Sequence, residues 1–222
     1  MLCYYMWDET DKHTFSHFKN NNMGQIDGDT FSQMIESYAS NHKYKTFLEI
    51  GTWNGLGSTK HFVKTLAKRN DDFIFYSLEC NSDKASQAKE LYQNVPKIHI
   101  LNEVIWNEEP DDFYDIFPQC KTHDLYKKWN DVDMINMKKC DLFLNRPNLP
   151  KTFDVLLLDG GEFTTYYEFQ MLKNRCKILM LDDIYTDKCK LIVEEIKKNT
   201  DVWKIIHEEK VRNGFLIAEK CV

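Results

Sequence analysis

Phe47-Leu48-Glu49-Ile50-Gly51-Thr52-Trp53-Asn54-Gly55-Leu56-Gly57-Ser58-Thr59 reads as a short buried strand, a glycine-rich turn and the start of a helix. Glycines in such a turn supply positive φ and let a ligand approach the backbone. Ser58 or Thr59 stands where it can cap the helix, whose apolar positions Phe62, Val63 and Leu66 recur at helical spacing. The turn is therefore expected to aim free backbone N–H groups and a helix N-terminus at one spot, which suits a polar or anionic group.

Working outward, strands and helices alternate. Phe73 to Leu78 is a second strand ending in Glu79, about where a βαβ nucleotide fold sets an acid on the ribose hydroxyls. A carboxylate suits that place because it accepts from both hydroxyls at once. A helix over Ser82 to Gln93 carries Ala85, Ala88 and Tyr92 on one face, and Ile98 to Leu101 is a third strand. Asn102, Glu103 and Val104 then fall where adenine would lie, and any of the three can contact it. Phe153 to Leu158 is continuously apolar, as in a sheet centre covered on both faces, and runs into Asp159-Gly160-Gly161-Glu162. Cys176 to Leu181 repeats the pattern and ends in Asp182-Asp183. A helix from Thr186 to Lys198 buries Cys189, Ile192, Val193 and Ile196. Two last strands, near Trp203 to His207 and Gly214 to Ala218, read as antiparallel across a charged turn at Lys210 to Asn213.

Two regions depart from this alternation. Residues 1–44 read as an N-terminal helical cap, with a loop at Asn20-Asn21-Asn22 and a helix marked by Phe31, Met34, Ile35 and Tyr38. Asp29 or Thr30 would cap that helix, and the loop from Gly24 to Asp29 either leads into it or closes over the site. Residues 107–150 are too long for one crossover helix. They are read as a helical or partly irregular insertion bordering the ligand cleft, with a substrate lid and an oligomer contact as alternatives. The whole predicts a single α/β domain over 1–222, with a Rossmann-like doubly wound, mostly parallel seven-stranded sheet and a C-terminal antiparallel strand.

Composition narrows the partners. The 222 residues are 42% hydrophobic and 14% aromatic, enough for one sizeable core. A net charge of -6 speaks against nucleic acid as the main partner. No apolar run is long enough to span a membrane, and Met1 to Asp8 lacks the basic and apolar regions of a signal peptide, so a cytoplasmic location is expected. The seven cysteines are scattered without a C-x-x-C pair, which suggests reduced thiols rather than zinc or disulfides.

Asp159 and Asp182-Asp183 end two strands that should be neighbours, and ligands in open α/β sheets sit beyond the carboxyl ends of the strands. Three converging carboxylates repel unless one is protonated or a cation is present. A hard divalent ion, Mg²⁺ first, is the expected solution, with a helix cap at Asp183 and a loop-ordering role for Asp159 as the alternative.

The glycine order, Glu49-x-Gly51-x-x-x-Gly55-x-Gly57, is not the G-x-G-x-x-G of dinucleotide folds. It resembles motif I of the Rossmann-like S-adenosylmethionine (SAM) methyltransferases. With Leu158-Asp159-Gly160 and Leu181-Asp182-Asp183 added, the chain resembles the metal-dependent O-methyltransferases related to catechol O-methyltransferase and, more closely, the macrocin-type sugar O-methyltransferases. The resemblance implies SAM as cofactor, with Glu49 toward its amino-acid end, Gly51, Thr52, Gly55 and Ser58 in its loop, and Glu79 and Glu103 toward its nucleoside. It implies Mg²⁺ on Asp159, Asp182 and Asp183, and methylation of a small hydroxylated acceptor such as a sugar or phenol. Related enzymes often pair, so a homodimer is expected.

Where the family usually carries a lysine or histidine base, three residues after the first acid, this chain has Glu162. Glu162 and Asp159 are thus the candidate catalytic residues, and Glu162 is open to three readings: base, further ligand, or mark of lost metal chemistry. A non-catalytic SAM-binding or regulatory module is the rival from another class, and an RNA methyltransferase the rival within the class. An NAD-dependent enzyme is disfavoured by the glycine spacing.

Overall fold

The computed structural model describes residues 26–221. In chain order these form α1 (Thr30–Ser40), β1 (Thr46–Ile50), α2 (Ser58–Leu66), β2 (Ile74–Leu78), α3 (Ser82–Tyr92) and β3 (Ile98–Leu101). Next comes β4 (Glu103–Val104), and the insertion follows as α4 (Phe113–Ile116), α5 (Gln119–Thr122), α6 (Asp124–Met137) and β5 (Asp141–Leu142). Then come β6 (Phe153–Leu158), α7 (Thr165–Leu172), β7 (Cys176–Asp182), α8 (Asp187–Lys198), β8 (Trp203–Glu209) and β9 (Phe215–Lys220). The expected loop at Asn20-Asn21-Asn22, and Gly24 and Gln25 of the expected lid, lie outside the described residues.

Seven strands form one sheet in the order β3-β2-β1-β6-β7-β9-β8. The first five are parallel, and β9 runs antiparallel to both β7 and β8. The expected α/β architecture is therefore the observed one. The reversal of strand order between β1 and β6 creates the crevice in which such sheets bind ligands.

The continuous apolar runs of β6 and β7 follow from cover on both faces. Side chains alternate across a strand, so Val155 and Leu157 pack with Phe31, Ile35 and Phe62 of α1 and α2, while Leu156 and Leu158 join Phe169, Ile192 and Ile196 of α7 and α8. The edge strand β8 carries Lys204, His207, Glu208 and Glu209, charges that discourage further strand pairing. Asp29 caps α1 as expected, accepting from Ser32 N at 2.8 Å. Among the described residues no helix is long and apolar enough to cross a membrane.

Candidate functional site

The glycine loop is built differently from its sequence reading. Its left-handed positions are Gly51 (φ 99°), Trp53 (φ 51°) and Gly55 (φ 81°), whereas Gly57 has negative φ and is the N-cap of α2. Neither Ser58 nor Thr59 caps the helix, because both turn inward to the Glu49 carboxylate, which also accepts from Ser77. Nor are the loop's amides free as expected. Gly51 N and Thr52 N donate to Leu78 O, Trp53 N to Glu79 Oε2, and Gly55 N to Thr52 O. Crossing strand ends consume these donors, since the loop closes the gap between β1 and β2.

Gly51 is glycine for a reason of space. A Cβ there would stand 2.0 Å from the Asp159 carbonyl oxygen, so β1 and β6 could not pass each other with any other residue. A Cβ on Gly55 would reach 2.9 Å from the Tyr92 ring and 3.0 Å from Ala88 Cβ, which ties the loop to α3. Tyr92 also donates its hydroxyl to Gly55 O at 2.6 Å.

Beyond this loop lies a narrow cavity, lined by Gly51, Glu79, Glu103, Asp133, Gly160, Gly161 and Glu168 among others. Of the expected cofactor residues, Gly51, Glu79 and Glu103 line it. Glu49 and Thr52 do not; they are buried beneath the loop, where Thr52 bonds Ser77. Gly55 and Ser58 also sit behind the lining. Burial pushes the Glu49 carboxyl up to about 7. Glu79 accepts from Trp53 N at 2.7 Å and Asn81 N at 2.8 Å, which fixes its carboxylate at the end of β2. Glu103 takes a two-pronged bond from Arg146 of the insertion.

Two cavity acids had no motif around them. Asp133 comes from α6, within residues 107–150, and Glu168 comes from α7. Glu168 is 4% exposed, yet its Oε2 has no hydrogen-bond partner. Burial first, and the nearby Asp133 charge second, push it up to about 8. The facing walls are glycines by necessity: a Cβ on Gly160 would come 2.5 Å from Glu168 Oε2, and one on Gly161 2.5 Å from Asp133 Oδ2.

The expected acid triplet does assemble. Asp159, Asp182 and Asp183 offer ligand atoms all within 4.8 Å of one another. A cation is already there, however, and it belongs to the chain. Lys188 of α8 sends its Nζ to Asp159 Oδ1 and to Asp183 Oδ2, each at 2.7 Å. Burial alone would lower its pKa, but the surrounding carboxylates override this and raise it. Asp183, which burial would raise, is held below its usual value by the same ammonium. Arg212, on the β8–β9 turn, bridges the third acid to the N-terminal side: Nη1 to Asp182 at 2.8 and 3.0 Å, Nε to Asp29 at 2.7 Å.

Glu162 points to the start of α8, where it accepts from Lys188 N at 3.2 Å, and burial raises its pKa. It sits close to the triplet but engaged with a helix terminus. The role of Lys188 was legible in one respect: it shares the stripe Lys188, Ile192, Ile196, so a lysine occupies a buried helical position. Arg212 gave no such signal.

No protein-family model matches this sequence, and no curated protein matches it. Solved structures do. An O-methyltransferase from Bacillus cereus, crystallised with SAH, superposes with a TM-score of 0.56 at 13% identity, covering 90% of this chain and 85% of that one. TomG from Streptomyces achromogenes, an O-methyltransferase involved in tomaymycin synthesis and crystallised with SAM, gives 0.54 at 14% identity over 86% and 80% of the two chains. SAH-bound PaMTH1, a methyltransferase of Podospora anserina, gives 0.52 at 11% identity over 86% and 78%. What they share with this chain is architecture: it has the Rossmann-like fold of the SAM-dependent O-methyltransferases.

Proposed function

We propose that this chain is a SAM-dependent O-methyltransferase acting on a small hydroxylated acceptor. The observation that carries the reading is the glycine-walled cavity at the carboxyl ends of β1, β2 and β6, with the buried, unpartnered Glu168 Oε2 facing it. Burial holds a proton on this carboxyl, and a cationic ligand beside it would favour the ionised form and draw that proton off. SAM carries two positive centres, a sulfonium and an ammonium. When bound, it supplies an electrophilic methyl group.

In this reading Glu79 holds the ribose hydroxyls, its orientation set by Trp53 N and Asn81 N. Glu168 and Asp133 face the positive end, and Gly51, Gly160 and Gly161 permit close approach. Asp159 directly precedes Gly160 of the cavity wall, and its Oδ2 accepts from no donor among the described residues, so it is the group placed to take the acceptor's proton. A carboxylate is a weak base, which favours an acceptor hydroxyl of phenolic acidity, near pKa 10, over an alcoholic one. The expectation of metal assistance meets Lys188 in the ion's place, and the proton step is assigned without an ion.

Calorimetric titration with SAM tests the proposal. Wild type should bind SAM and its product SAH, and Glu168→Gln should weaken SAM more than SAH, because SAH lacks the sulfonium charge. Failure of wild type to bind either would overturn it.

A further inference from the structure

We infer that Lys188 is a built-in replacement for a divalent cation: its ammonium occupies the charge position between Asp159 and Asp183, and the chain uses no metal ion there. The inference rests on the methyltransferase reading only for the reason an ion is expected at this place.

The carboxylate oxygens of the triplet are almost all in use. Asp159 Oδ1 and Asp183 Oδ2 accept from Lys188, Asp183 Oδ1 accepts from Asn213 Nδ2 at 3.1 Å, and both Asp182 oxygens accept from Arg212 Nη1. Among the described residues, only Asp159 Oδ2 has no donor. Mg²⁺ needs oxygens about 2.0–2.1 Å away in near-octahedral order, and Ca²⁺ six to eight of them. An ion bridging Asp159 and Asp183 would have to take the space of an ammonium nitrogen 2.7 Å from each. One site cannot hold both cations, because they repel and compete for the same lone pairs.

The lysine is held there by its helix rather than by chance rotamer choice. The Lys188 side chain is 2% exposed and sits one and two turns before Ile192 and Ile196 on the stripe that packs against the sheet. Its own backbone N–H is taken by Glu162 and by the capping Thr186 hydroxyl, which fixes the first turn of α8 against β6. Swinging the ammonium out would leave three acids together and break the helix packing. Glu162, in the position where the related enzymes carry a base, thus orients the helix that delivers the cation.

The test is Mn²⁺ titration of the full chain, reading free Mn²⁺ by electron paramagnetic resonance. Wild type should leave the free signal undiminished up to about 1 mM, the weak end of protein oxygen sites. Lys188→Ala, which opens the cation position, should bind one Mn²⁺ per chain at least roughly tenfold more tightly. A stoichiometric Mn²⁺ site in wild type that disappears in Asp183→Asn would overturn the inference. So would a folded Lys188→Ala protein with no such site. If Lys188→Ala does not fold, the wild-type titration decides alone. SAM titration of the same wild-type sample separates the two readings: SAM bound together with Mn²⁺ removes only the lysine assignment, and SAM unbound removes only the methyltransferase reading.

Discussion

Two groups of carboxylates lie side by side at the carboxyl end of this sheet, and the chain treats them in opposite ways. Asp159, Asp182 and Asp183 receive a lysine, an arginine and an asparagine from the protein itself. In the cavity next to them, Glu168 keeps an oxygen with no partner. One cluster is completed from within, and the other keeps an unsatisfied oxygen. An acid-rich site therefore cannot be read by counting acids; what decides is whether the fold supplies the opposite charge.

The largest effect should come from the residue that separates the two groups. Gly51→Ala would place a Cβ 2.0 Å from the Asp159 carbonyl at a left-handed φ, and stability should fall by about 5 kcal/mol in urea melts, with SAM binding lost. Lys188→Ala strikes at the completed cluster. Leaving Asp159 and Asp183 buried without their cation should cost about 3–5 kcal/mol, and added Mn²⁺ should recover part of the melting temperature. The same substitution would blur the contrast by making the two clusters alike.

Changes in the open cluster should be milder for the fold and visible in the ligand. Glu79→Gln should weaken SAM roughly tenfold by calorimetry, corresponding to about 1.5 kcal/mol for a charge-assisted hydrogen bond. The smallest effect is a pH signature. Because the folded Glu168 titrates at about 8 instead of 4.5, the folded chain keeps a proton that the unfolded chain has released. The stability from this proton is fully present below about pH 4.5 and is lost as pH rises through about 8. The melting temperature of Glu168→Gln relative to wild type should therefore climb between those values. Glu49, raised to about 7, contributes with the same sign to both proteins and cancels in the difference.

Much of this was open to a reading of the chain. The strands over 153–158 and 176–182 announce themselves as apolar runs, and their terminal aspartates had to meet once the strands paired. What the order of residues concealed was distance of another kind. Arg212 reaches Asp182 and Asp29 from the β8–β9 turn, thirty residues along the chain from the nearer partner. The use of loop amides was equally hidden: a glycine turn looks like a ligand cradle until β2 claims its N–H groups. Ser58 and Thr59 resemble helix caps by type, yet the buried charge of Glu49 recruits them instead. Periodicity identifies elements, while long-range ion pairs and competition for donors depend on the assembled fold.

The insertion helix α6 contributes Asp133 and Met137 to the wall of the cavity, while its aromatic residues Tyr126 and Trp129 pack with Phe113 and Phe163 in a separate cluster. One helix thus ties the cavity wall to the aromatic cluster of the insertion. A change in the packing of this helix against the aromatic cluster therefore also moves Asp133 in the cavity wall.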